Sequence, residues 1–180
     1  MGIFDFLKPR KSATKQPAME LSLSDMKVGC LVDYDLSTWE VTACNQYDWG
    51  DGDISLEWQL KSAETVAYLE LEQDDDDDWS FNRKIDFSLI DAQVKTQILE
   101  AGDPPDEIRF QDETFYLQET AAGHFNTKKP SDPQPMLRWS YATESGQNYL
   151  GIEQWSEKEI DASVGIPAHS YQFSNLLPPP

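Results

Sequence analysis

Alternation of apolar and polar positions organises this chain. Ile54, Leu56, Trp58 and Leu60 alternate with Ser55, Glu57, Gln59 and Lys61, the period-two pattern of a strand with one buried face. After a turn at Ser62 to Thr65, residues Val66 to Gln73 run back, with Leu69 and Leu71 on one face and Tyr68, Glu70 and Glu72 on the other. The stretch Leu56 to Gln73 then recurs 81 residues later, without a gap, as Leu137 to Gln154. Leu56/Leu137, Trp58/Trp139, Tyr68/Tyr149, Leu69/Leu150, Glu72/Glu153 and Gln73/Gln154 are identical. An upstream hairpin recurs at an offset of 76, pairing Val32 with Ile108, Tyr34 with Phe110, Trp39 with Phe115 and Val41 with Leu117.

Punctuation residues place the other elements. Ser24-Asp25 opens a single helical turn, and strands follow over Cys30 to Asp35 and Thr38 to Asn45. Asp48 to Asp53 reads as a solvated loop. Trp79, Phe81, Ile85 and Phe87 give one more strand or two bent pieces. Residues 91–101 form a short helix, capped by Asp91 and ended by Gly102, before the stop at Asp103-Pro104-Pro105-Asp106. The second copy takes a longer excursion through His124 to Pro135. Glu159 to Gly165 is a further strand, and Tyr171 to Leu177 an extended tail packed by Tyr171, Phe173 and Leu176. The expected fold is mainly β: two tandem pseudo-symmetric antiparallel meanders, about 30–87 and 106–165, forming a sandwich or barrel-like body over 21–177.

Charge narrows the range of partners. The 180 residues carry a net charge of -19, which repels nucleic-acid phosphates and attracts cations and basic protein surfaces. The basic residues Lys8, Arg10, Lys11 and Lys15 nevertheless concentrate at the start, behind an apolar turn of Ile3, Phe4, Phe6 and Leu7. Residues 1–20 therefore read as an amphipathic foot and linker that docks on a partner or rests peripherally on a membrane surface. Cys30 and Cys44 make no disulfide framework, and no apolar run is long enough to span a bilayer; both point to the cytoplasm.

Candidate chemistry is sparse. Glu72 and Glu153 each follow a tyrosine by four residues, at matching places in the two copies, so a two-fold relation brings the carboxylates together. Such a pair serves acid/base chemistry, a metal, or simply a strand-end ion pair. With Tyr68 and Tyr149 they make the candidate binding surface. Placing Gly52 on the EF-hand glycine puts Tyr47 and Trp49 where carboxylate ligands belong, and His124 and His169 lack zinc-site spacing. No nucleophile elbow, phosphate loop or cofactor motif occurs, so the expectation is a non-enzymatic module without cofactor, binding a protein partner or membrane-associated assembly. The alternatives are a metal-binding or hydrolytic protein using Glu72 and Glu153, and an acidic mimic of nucleic acid.

The order of motifs resembles the uncharacterised bacterial family called domain of unknown function 4178. Carrying the resemblance are Met26-Lys27-Val28-Gly29 before Val32-Asp33-Tyr34, Trp39-Glu40-Val41, Trp58-Gln59-Leu60, Tyr68-Leu69-Glu70-Leu71-Glu72, Pro104-Pro105, Ile108, Phe115-Tyr116-Leu117 and Leu150-Gly151-Ile152-Glu153-Gln154-Trp155. It covers roughly residues 25–177 and implies a cytoplasmic protein with no established activity to carry over. Where the family pattern has glycine in the first hairpin turn, this chain has Asp35-Leu36-Ser37 and Gln111-Asp112-Glu113.

Overall fold

The computed structural model describes residues 21–73, 77–127 and 132–179. Eleven strands join in one antiparallel sheet: β1 (Leu31–Tyr34), β2 (Ser37–Gly50), β3 (Asp53–Lys61), β4 (Val66–Gln73), β5 (Asp77–Ile85), β6 (Glu107–Phe110), β7 (Glu113–Thr127), β8 (Gln134–Thr143), β9 (Tyr149–Gln154), β10 (Ile160–Ala168) and β11 (Ser174–Leu177). The one α-helix among the described residues, α1 (Ala92–Ala101), is capped by Asp91, whose side chain accepts from the Gln93 N–H, and ends at Gly102 with φ 89°. The strand order is β11-β1-β2-β3-β4-β5-β10-β9-β8-β7-β6, and β2 also pairs with β7. That extra pairing closes eight strands, β2 to β5 and β7 to β10, into a ring; β1 and β11 extend from β2, and β6 from β7.

The pairing registers reveal an internal two-fold. β2 and β3 slip register between Val41 and Ala43, and β7 and β8 slip between Leu117 and Glu119, the same place 76 residues on. At one seam Asp48 faces His124, and at the other Arg83 faces Val164. Each partner is the other's counterpart at offsets of 76 and 81, so a pseudo-two-fold axis runs through both seams and exchanges the two mouths of the ring.

The apolar stripes do not fill the ring. One cluster gathers Trp39, Val41, Trp58, Leu60, Leu69, Leu71 and Phe81 under Leu23, Met26, Val32, Tyr34 and Phe173. The other gathers Phe115, Trp139, Tyr141, Leu150 and Ile152 under Ile90, Val94, Ile98, Ile108 and Phe110. Each half thus keeps its own core on the outer face of its strands, covered by β1, Leu23, Met26 and Phe173 in one half, by α1 and β6 in the other. Alternation then turns the polar residues of both halves inward. Trp58 donates its indole N–H to the Met26 carbonyl at 2.9 Å and Trp139 to Asp103 at 3.2 Å, so both core tryptophans also pin a connecting segment.

Several expectations change. Strand β2 continues to Gly50, leaving only Asp51-Gly52 as the turn where a loop over Asp48 to Asp53 is expected. Residues His124–Thr127 are strand, not excursion, because they pair with Asn45–Asp48 and close the ring. β5 is one continuous strand. Tyr171 is 81% exposed in a 3₁₀ turn that interrupts the tail, so Phe173 alone anchors it deeply. The two short hairpin turns are made without glycine: Asp35 (φ 47°), Leu36 (φ 60°) and Gln111 (φ 54°) take the left-handed conformation themselves. The foot residues Ile3, Phe4, Phe6, Leu7, Lys8, Arg10 and Lys11 lie outside the described residues.

The candidate charged lumen

In the middle of the ring, Glu57 on β3 directly faces Glu70 on β4, and across from them Arg138 on β8 directly faces Glu153 on β9. Arg138 reaches over the lumen: its Nη1 bonds Glu70 Oε1, its Nη2 bonds Glu70 Oε2 at 3.0 Å, and Nη2 also bonds Glu153 Oε1 at 3.1 Å. The guanidinium thus holds a bidentate pair with one half and a single bond within its own. The three side chains are only 12%, 7% and 12% exposed for Arg138, Glu70 and Glu153, which makes this an interior ion cluster.

β2 supplies the aromatic wall. Its bulge after Val41 resets the alternation so that Asn45, Tyr47 and Trp49 point inward. Tyr47 and Trp49 lie parallel, 5.4 Å apart, and the Arg138 guanidinium sits 4.6 Å and 5.3 Å from their ring centroids. Asn45 Nδ2 donates to Glu57 Oε1 at 2.8 Å, and Trp49 Nε1 donates to Ser55 Oγ at 2.8 Å. Trp49 needs glycine opposite it: a Cβ on Gly123 would stand 2.6 Å from its ring and 2.7 Å from the Asp48 carbonyl.

Two carboxyls in this space are pushed toward the neutral form. Burial, with the neighbouring Glu70 charge, pushes the Glu57 carboxyl up to about 7. Burial and the same Glu70 push Glu72 up to about 7 as well, although its side chain is 60% exposed at the rim and water screens much of that effect. Burial, Glu57 and Glu153 hold the Tyr47 hydroxyl well above the ordinary phenol range. Burial works against the Arg138 charge, but Glu70 and Glu153 outweigh it and hold the guanidinium firmly protonated.

The four expected surface residues all face the lumen, though they do not form one surface. Glu72 and Tyr149 line one mouth, Tyr68 and Glu153 the other. Glu72 and Glu153 approach the same Arg138, at 4.0 Å and 3.1 Å, so a cation of the protein itself stands between the two carboxylates. Their equivalence needs correction. Trp58 faces Leu69 and Trp139 faces Ile152, so the counterpart of Glu153 is Glu70 and not Glu72. The cause is the turn: Ser62 N–H to Thr65 C=O closes the first hairpin over two residues, while Thr143 N–H to Asn148 C=O closes the second over four. A two-residue slip keeps every side chain on its face, so alternation cannot reveal it.

Large-for-small replacements make the mouths unequal. In one, of about 260 Å³, Gln59, Tyr68 and Lys84 project inward, and Lys84 forms a salt bridge with Asp161. Their two-fold counterparts are Ser140, Gly151 and Gly165; the other mouth opens to about 350 Å³ and is rimmed by Glu72, Asp77, Asp78 and Glu119. Among the described residues, Arg138 is the sole lysine or arginine that lines it.

Fold and site define the protein as a closed eight-stranded antiparallel barrel of two pseudo-symmetric halves with a charged lumen. By sequence the chain belongs to the family described as Domain of unknown function (DUF4178), whose signature matches residues 27–169. It is similar to an uncharacterised protein of Aquifex aeolicus (strain VF5), 26% identical over 182 residues and 99% of each chain. No solved structure matches it. Among the described residues no helix is long and apolar enough to cross a membrane.

Proposed function

We propose that this protein is a non-catalytic binding module that takes a cationic side chain of a protein partner into the wider, acidic mouth of its barrel. The observation that carries this reading is the asymmetry of the mouths. Where one is filled by Tyr68 and Lys84, the other has Gly151 in the place of Tyr68 and keeps its rim carboxylates in excess over cations. Arg138 illustrates the chemistry, being a guanidinium clasped by carboxylates and covered by two aromatic rings in the same lumen. The net charge of -19 would draw a basic partner surface toward it. An acid/base pair or metal site at Glu72 and Glu153 has less support, because Arg138 stands between them. Residues 1–20 serve in this reading as a tether that keeps the module near a cytoplasmic partner or a membrane surface.

Titration calorimetry with a short arginine- and lysine-bearing peptide tests the reading. Saturable binding should weaken at least about tenfold, or about 1.4 kcal/mol, in Glu72→Gln/Asp78→Asn. It should weaken comparably in Ser140→Gln, which fills the mouth as Gln59 fills its counterpart without altering charge. Equal binding by the wild type and Ser140→Gln would reduce the attraction to diffuse surface charge and refute the mouth as the site.

A further inference from the structure

The Tyr47 hydroxyl holds one proton but faces two carboxylates. Its oxygen lies 3.1 Å from Glu57 Oε2 and 3.3 Å from Glu153 Oε1. Glu153 also receives Arg138, whereas Glu57 bonds neutral donors: its other oxygen is taken by the Asn45 amide, and the carboxylate directly opposite it is Glu70. If Glu57 were ionised, two acceptors would compete for the single Tyr47 proton, and Glu57 and Glu70 would face each other as buried like charges with only 8% and 5% of each residue exposed.

One added proton resolves both conflicts. We propose that the lumen is a proton-binding site, in which Glu57 Oε2 is protonated at neutral pH and donates to Tyr47 Oη, freeing the Tyr47 hydroxyl to donate to Glu153. The chain of bonds then runs Glu57 to Tyr47 to Glu153, with Arg138 donating into Glu153 and Glu70 from the far side. Nothing else is consumed, since the proton comes from water. The titratable and charged groups around Glu57 are Tyr47 on β2, Glu70, Tyr68 and Glu72 on β4, Lys84 on β5, Arg138 on β8, Glu153 on β9, Glu159 just before β10 and Asp161 on β10. Of the two cations among them, Arg138 is shared with Glu70 and Glu153, and Lys84 is engaged by Asp161.

Tyr47 belongs to the segment of β2 that pairs with β7, facing Phe125, so the proton bears on ring closure. Below the unfolded carboxyl value of about 4.5 both folded and unfolded chains bind the proton. As pH rises from there through about 7 the unfolded chain has released it and the folded chain still holds it, so the stability it confers drains away across that window and is gone above it.

The site is read by following the glutamate side-chain carboxyl signals of the whole chain by carbon-13 NMR while pH is raised, alongside chemical denaturation of the wild type and Glu57→Gln. Of the glutamate signals that titrate late, one besides that of Glu72, which Glu72→Gln identifies, should lie near pH 7 and be missing in Glu57→Gln. The amide that this substitution introduces donates to Tyr47 at every pH. The variant should therefore keep, between about pH 5 and 8, the stability that the wild type loses. If every glutamate other than Glu72 titrates below about pH 5.5, or if every late-titrating signal survives in Glu57→Gln, the proton is not on Glu57 and the proposal is overturned. Should the variant fail to fold, the wild-type titration, with Tyr47→Phe expected to displace its midpoint, still decides.

Discussion

Single residues show how much of the lumen is negotiated by charge and space. Removing Arg138 as Arg138→Met would strand Glu70 and Glu153 in the interior; the expected loss is about 3–5 kcal/mol at neutral pH. The loss should shrink under mild acid as the orphaned carboxylates take up protons, which denaturant titrations at two pH values will show. Gly123→Ala makes the opposite kind of fault. Its added methyl meets the Trp49 ring and the Asp48 carbonyl, so a cost of about 1–3 kcal/mol is expected in the same assay. Alternation gives little warning of either. Arg138 precedes the core Trp139 and shares its own strand face with Ser140 and Ala142, so it looks solvent-facing; Glu57, Glu70 and Tyr47 are hidden the same way. A polar residue on the far side of an apolar stripe is normally wet, and only closure of the ring buries it. The signal that existed was the repeat itself, which places Glu57 and Arg138 at matching positions with opposite charge.

At the scale of elements, alternation and turn chemistry made the strands and α1 legible, including the cap at Asp91 and the stop at Gly102. Register was legible only in part. The offsets of 76 and 81 survive in the pairing of β2, β3, β5 and their counterparts, whereas the longer turn between Thr143 and Asn148 shifts β9 by two residues and substitutes Glu70 for Glu72 as the partner of Glu153 in the two-fold. The core tryptophans are where the two halves agree most closely. Trp58→Ala or Trp139→Ala each leaves a large cavity and breaks the indole bond that pins a connecting segment, and should cost roughly 3–5 kcal/mol by calorimetric melting. A variant that melts like the wild type would place that ring outside its core.

For the whole molecule, the expectation of a sandwich or a barrel-like body resolves into a barrel whose apolar faces point outward. Periodicity cannot choose between the two, since both present the same alternation and differ only in which face is enclosed. Over the whole chain, 33 acidic residues against 14 basic ones leave a surface that repels itself. Moderate salt, which screens charges over about 8–10 Å, should therefore raise the melting midpoint near pH 7. A midpoint that stays flat or falls would mean that the surface acids are held in favourable pairs.

An interior ion cluster joins the two halves across the closed ring, and a double-mutant cycle between Glu70 and Arg138 measures that join. Glu70→Gln, Arg138→Met and the double variant are unfolded by denaturant at pH 7.5 beside the wild type. Coupling of about 2–3 kcal/mol is predicted, near the top of the range for residues in direct contact. Additivity to within about 0.5 kcal/mol would mean that β4 and β8 do not face each other across a lumen, and would contradict the account.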